Sequence, residues 1–164
     1  MRVLTALAGL VAAGAYAVLL WLGYTQLMPA ADGLLPFDLR PFGYSFAEAT
    51  AYLEALSDQG AELIRGPVAT ADTVFPVSFA IFLALVCLRA RPGRLAWIGV
   101  LLALGYGAAD LLENAAILRL VDGSRPPDPL QVSGASVLTQ VKFVLAGLAI
   151  LTALIARMRA GRRR

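Results

Sequence analysis

Six polar side chains lie inside stretches of the chain that are otherwise apolar: Asp72, Tyr106, Asp110, Glu113, Asn114 and Lys142. Carboxylates and one amine in apolar surroundings can do three kinds of chemistry. They can hold a cation, pass a proton, or act as an acid and base pair whose proton affinities are pushed apart by their environments. Spacing concentrates four of the six. Tyr106, Asp110, Glu113 and Asn114 recur at helical intervals, so they form a single stripe on one helix. Asp72-Thr-Val-Phe-Pro76 adds a backbone feature. Pro76 has no N–H to give to the Asp72 carbonyl, so an acid side chain and a freed carbonyl coincide at one position.

The elements that must position these groups follow from hydropathy. Of 164 residues, 59% are hydrophobic, and the mean hydropathy is +0.74. A soluble domain is nearer about 45–50% apolar, so a bilayer is the expected solvent. Crossing about 30 Å of hydrocarbon takes roughly 20 helical residues. Four stretches are long enough: about Val3 to Met28, Pro67 to Leu88, Leu95 to Leu120 and Ala135 to Ala156. The first exceeds the roughly 7–15 apolar residues of a secretory signal and is taken as a retained span. The expected fold class is all-α: a polytopic four-transmembrane-helix bundle, with residues 1–164 forming one membrane domain.

Charge orients it. Arg2, Arg89, Arg91, Arg94, Arg157, Arg159, Arg162, Arg163 and Arg164 lie beside the ends of apolar runs, with no acid among them. Positive residues stay cytoplasmic. Four spans put all of these arginines on one side, which predicts an integral protein of a bacterial inner membrane with both termini cytoplasmic. The C-terminal arginines could also meet anionic headgroups, although a plain topology anchor is the favoured reading.

Between the first two spans, Ser45-Phe-Ala-Glu48 fits a capping box. It predicts an outer amphipathic helix from Phe46 to about Gln59, with Phe46, Ala49, Tyr52, Leu53 and Leu56 on one face. Such a helix lies at the membrane interface or lids the bundle. Gly66-Pro67 is expected to restart the chain for the second span. Val121 to Gly134 reads as turns and extended backbone.

Alternating helix directions place Asp72, Asp110, Glu113 and Lys142 roughly 3–9 Å outward of the midplane, at about 1.5 Å of rise per residue. Asn114 and Tyr106 belong to the same band. Small residues let helices approach closely. Gly99, Ala103 and Gly107, then Ala135, Thr139, Ala146, Ala149 and Ala153, and also Gly9, Ala13 and Ala17, form three candidate seams. Lys142 falls on the second of these. Three acids against one base cannot all ionise in low dielectric without a cost of several kcal/mol per ion. A bridge from Lys142 to Asp110 or Glu113 that merely sets helix register is the structural alternative.

Composition also excludes. The chain has no histidine and one cysteine, Cys87, which removes an intramolecular disulfide, thiol-redox chemistry and His- or Cys-built zinc and haem sites. Ser78 has no partner base. No glycine-rich phosphate cradle appears. Hence no cofactor, no metal and no nucleic acid are expected. The expected partners are membrane lipids, a small amphipathic ligand, and a further copy or another subunit.

The pair Asp72-Thr-Val-Phe-Pro76 and Asp110-Leu-Leu-Glu-Asn114 resembles the signature of a family of small four-span membrane proteins of unknown function. The resemblance covers roughly residues 36 to 118, including Gly43-Tyr-Ser45. It implies a four-span bundle and supplies no activity. The layout is also similar to that of the emopamil-binding-protein and sigma-2-receptor group, whose membrane acids hold cationic or sterol-like ligands. The histidine used by the isomerase member of that group is absent here. Three functions are therefore in play. The first is an outward-facing acidic pocket that binds or transports an amphipathic cation, a lipid or a proton. The second is a membrane acid–base enzyme, an isomerase or hydrolase using Asp72 with Asp110 or Glu113. The third is a structural subunit whose charges serve only assembly.

Overall fold

The computed structural model describes residues 1–90, 93–123 and 126–161, the last two without their side chains. Of the residues singled out above, Arg91 and Arg162 to Arg164 lie outside the described residues.

Each long apolar run becomes a helix, because a helix satisfies its own backbone polar groups where no water can. α1 spans Arg2–Leu22 and runs on through a π-turn, Gly23–Leu27. α2 is Phe46–Ala55 and α3 is Asp58–Leu63. α4 is Ala69–Ala90, α5 Arg94–Asp122 and α6 Pro129–Gly161. Four helical segments are long and apolar enough to cross a membrane: Arg2–Leu27, Asp58–Ala90, Arg94–Asp122 and Pro129–Arg159. The all-α expectation holds, and no strand occurs among the described residues.

Neighbouring long helices run antiparallel. Tyr16 meets Phe75, and Gly9 meets Phe82, between α1 and α4. Gly107 lies against Ala80, and Gly99 against Cys87, between α4 and α5. Asp110 meets Lys142, and Gly99 meets Thr152, between α5 and α6. Close approach at Gly99 and Gly107 needs the missing Cβ, so the α5 seam packs as its spacing predicts. The α6 seam is buried as well, apart from Ala146 at its half-buried middle. The α1 seam is different: Ala13 and Ala17 stay exposed, and Ala12 is buried in their place. The cause is bulk on α4. Phe75, Phe79 and Phe82 sit one helical turn apart, and the rings of Phe75 and Phe79 stack at 5.5 Å. They hold α1 away from the other helices.

Burial is inverted relative to a soluble bundle. Large apolar side chains such as Leu10, Trp97, Leu101, Val144 and Leu151 face outward, while Asp72, Asp110, Glu113 and Lys142 are buried. Lipid is the solvent that makes this arrangement favourable.

Three boundaries differ from expectation. The outer helix ends at Ala55 and not at Gln59. Leu56 is extended, Ser57 caps α3 by accepting from the Gly60 amide at 3.2 Å, and the Ser57 amide donates to the Ala30 carbonyl at 2.8 Å. Gly66-Pro67 does not restart the chain: a π-turn over Ile64–Val68 carries α3 into α4, so the second span begins at Asp58. The wider turn tolerates the N–H that Pro67 lacks. The expected loop 121–134 is shorter, because Asp128 accepts from the amides of Leu130 at 2.7 Å and Gln131 at 3.1 Å and starts α6 at Pro129.

The capping box forms as predicted: Glu48 N–H donates to Ser45 Oγ at 3.2 Å and Ser45 N–H to Glu48 Oε2 at 2.7 Å. These contacts hold the exposed Glu48 carboxyl below the usual range. α2 buries Ala49, Tyr52 and Leu53 but leaves Phe46 exposed. Those three residues join Leu22, Leu27, Phe37, Ile117, Leu120 and Val132 in one apolar cluster, so α2 lids the end of the bundle.

Candidate functional site

The lone amine is fully engaged. Lys142 Nζ lies 3.2 Å from Asp110 Oδ1 and is also ion-paired to Glu113 Oε2. Thr139, one turn before Lys142 on α6, donates its hydroxyl to Glu113 Oε1 at 2.5 Å. Four residues of α5 and α6 thus form an enclosed network in which every charge has an opposite neighbour. Thr139 was read from the sequence only as a seam residue; its spacing from Lys142 was the available signal for this role.

Pro76 leaves α4 unbroken, and the freed carbonyl finds a partner across the helix interface. Asn114 Nδ2 donates to the Asp72 carbonyl at 2.5 Å. The two sequence motifs, Asp72–Pro76 and Asp110–Asn114, therefore meet at this bond.

A cavity of about 540 Å³ opens where the α4 phenylalanines hold α1 off. Asp72, Asp110, Lys142 and Tyr106 line it. Glu113 and Asn114 do not. Glu113 is sealed between α5 and α6, and Asn114 is turned towards α4 by its bond to the Asp72 carbonyl. The opposite walls are apolar: Phe75, Phe79 and Phe82 on α4, Phe143 and Ile150 on α6, and Ala13 and Tyr16 on α1. Tyr106 stands edge-on to Phe79 at 5.7 Å.

One acid on this cavity was not singled out from the sequence. Asp38 comes from the short 3-10 turn Phe37–Leu39 in the segment between α1 and α2. No local pattern marks it, because its position depends on how that segment folds back. Arg40 sets the fold. Its Nε donates to the Leu35 carbonyl at 2.9 Å, and its guanidinium lies 5.6 Å from the Phe37 ring, 5.9 Å from Tyr44 and 5.7 Å from Tyr52. Gly43, at φ +78°, then lets the chain touch α6, where the Tyr44 amide donates to Ser136 Oγ at 2.9 Å. Burial pushes the Asp38 carboxyl above its usual range, and the positive charge of Lys142 opposes that shift. The aromatic stripe 75–79–82 was also overlooked, although its i, i+4, i+7 spacing was legible.

The acids therefore divide into two kinds. Asp110 and Glu113 share the single positive charge of Lys142. Among the described residues, the Asp72 carboxyl has no hydrogen-bond or ion-pair partner. A cation entering the cavity would find the Asp72 and Asp38 carboxyls, neither in an ion pair among the described residues, with aromatic faces beside them. The chain matches no family model, and no curated protein or solved structure matches it.

Proposed function

We propose that this integral membrane protein binds an amphipathic cation, its charged head against Asp72 and Asp38 and its apolar body along Phe75, Phe79, Phe82 and Phe143. The observation that carries this reading is one cavity lined by the acids Asp72 and Asp38, neither in an ion pair among the described residues, and by the aromatic rings of Phe75, Phe79, Phe82 and Phe143. Its volume of about 540 Å³ falls within the roughly 300–1,000 Å³ usual for small-molecule sites. Ala13 and Tyr16 on α1, and Phe143 and Ile150 on α6, line it while remaining exposed. That favours entry sideways from lipid, between α1 and α6. Lys142, Asp110 and Glu113 serve assembly in this reading, so the structural alternative accounts for three of the four charges read from the spans. Ser78 commits its hydroxyl to the Val74 and Phe75 carbonyls, so it is not poised as a nucleophile.

The site belongs to the outer half of the bilayer and both termini to the cytoplasm, by the arginine distribution. A cysteine placed at Gly123 should be labelled from outside and one at Gly161 spared; the reverse rejects this orientation. Binding is tested with a hydrophobic quaternary ammonium probe and its neutral isostere, using protein purified in neutral detergent. The cation should bind at least tenfold tighter than the isostere, and Asp72→Asn should remove that preference. Equal binding of the two probes to the wild type rejects the reading.

A further inference from the structure

Asp38 and Asp72 border a second chamber as well as the large cavity. It measures about 60 Å³ and lies on the other side of these two residues, between α4, α5 and the α2 lid. Its walls include Phe37, Tyr52, Thr73 and Asn114. Two of its polar atoms are buried without a hydrogen-bond partner among the described residues: the Tyr52 hydroxyl and Asn114 Oδ1. Tyr52 is wholly buried. Asn114 cannot turn its amide nitrogen to the chamber, because that nitrogen is held by the Asp72 carbonyl. Its oxygen is therefore left as an acceptor. A buried polar group without a partner is destabilising, and such groups in native proteins ordinarily mark a bound water or ion.

We propose that this chamber is a site for a small cation held by oxygen atoms, a proton carried on water or a sodium ion, with Asp38, Asp72, Asn114 Oδ1 and the Tyr52 hydroxyl as its ligands. The donor set fits this class. Two carboxyls, an amide oxygen and a phenol are hard oxygen ligands, with no sulfur or nitrogen among them. The space admits a small ion or a few waters and excludes an organic ligand. Because Asp38 and Asp72 line both chambers, a charge in the small one weakens attraction for a cation in the large one. Occupancy of the two sites is thereby antagonistic. The charged and titratable groups around the pair are Tyr52 from α2, Arg40 from the connecting segment, Tyr106, Asp110 and Glu113 from α5, and Lys142 from α6. All but Tyr52 and Arg40 lie on the side of the Lys142 network, where one lysine serves two carboxylates.

The test uses purified full-length protein with no cationic amphiphile added, so it stands or falls apart from the reading of the larger cavity. Thermal unfolding is followed in sodium chloride and, as control, choline chloride. Infrared carboxyl bands are titrated with pH in light and heavy water. If the ion is sodium, the wild type gains stability with sodium but not choline, and Tyr52→Phe needs at least tenfold more sodium for the same gain. If it is a proton, sodium has no specific effect. A carboxyl band then titrates, Asp38→Asn or Asp72→Asn removes it, and Tyr52→Phe moves its midpoint. Tyr52→Phe keeps the ring and deletes only the hydroxyl, so it tests the chamber even where an acid variant fails to fold. A wild type that shows neither response, or either response unchanged by Tyr52→Phe, overturns the proposal.

Discussion

Replacing Lys142 with methionine tests whether the α5–α6 interface depends on its ion network. Lys142 is 6% exposed, Asp110 2% and Glu113 0%. Methionine fills a similar volume but removes the charge 3.2 Å from Asp110 and beside Glu113. Breaking a buried pair by deleting one partner costs about 3–5 kcal/mol, because a charge is stranded in low dielectric. Here two carboxylates lose the same counter-charge, which raises the cost. The Thr139 hydroxyl still serves Glu113, which lowers it. A net loss of about 4 kcal/mol is expected, a shift of nearly three powers of ten in the unfolding equilibrium. The assay is reversible unfolding in mixed micelles with a double-mutant cycle. Lys142→Met combined with Glu113→Gln, or with Asp110→Asn, should recover about 1–3 kcal/mol of that loss. A single-variant cost under about 1 kcal/mol, or double variants no more stable than Lys142→Met, would refute the reasoning, since either outcome means the carboxylates do not depend on the lysine.

The other substitutions probe separate links. Asp72→Asn should leave the protein at least as stable as wild type, because Asp72 has no partner to lose; marked destabilisation in a thermal melt would show that the acid is structural. Gly43→Ala should cost about 2 kcal/mol or more, since φ is +78° and a Cβ would come within 2.6 Å of Ser136 Oγ; an unchanged melting temperature would reject this close approach. Ser45→Ala should cost about 1 kcal/mol of α2 stability, read by hydrogen exchange over residues 46–55. Glu48 is held below its usual pKa by Ser45, so its contribution is present above about pH 4.3 and fades as pH falls through the lowered value. Protection of α2 should fall on acidification in the wild type and not in Glu48→Gln.

The features legible from the chain alone are those that depend on near neighbours along it. The four spans, the α2 cap at Ser45 and Glu48, and the α5 stripe all rest on hydrogen bonds and spacings within about a turn of helix. A bridge from Lys142 to Asp110 or Glu113 was legible as well, because the one lysine of the chain shares their depth in the bilayer and must be matched. The carbonyl freed by Pro76 could be read from the sequence, but its partner, Asn114, could not. Only the tertiary structure decided the rest. The helix break at Leu56 follows from the Ala30 carbonyl, which lies far along the chain. Asp38 reaches the cavity because Arg40 and Gly43 fold its segment back onto the bundle. Of the α1 seam only Gly9 packs, against the Phe82 ring, while Ala13 and Ala17 stay exposed beside the phenylalanine rings of α4. A small-residue pattern states how closely a helix can approach; the bulk of the partner's side chains decides whether it does.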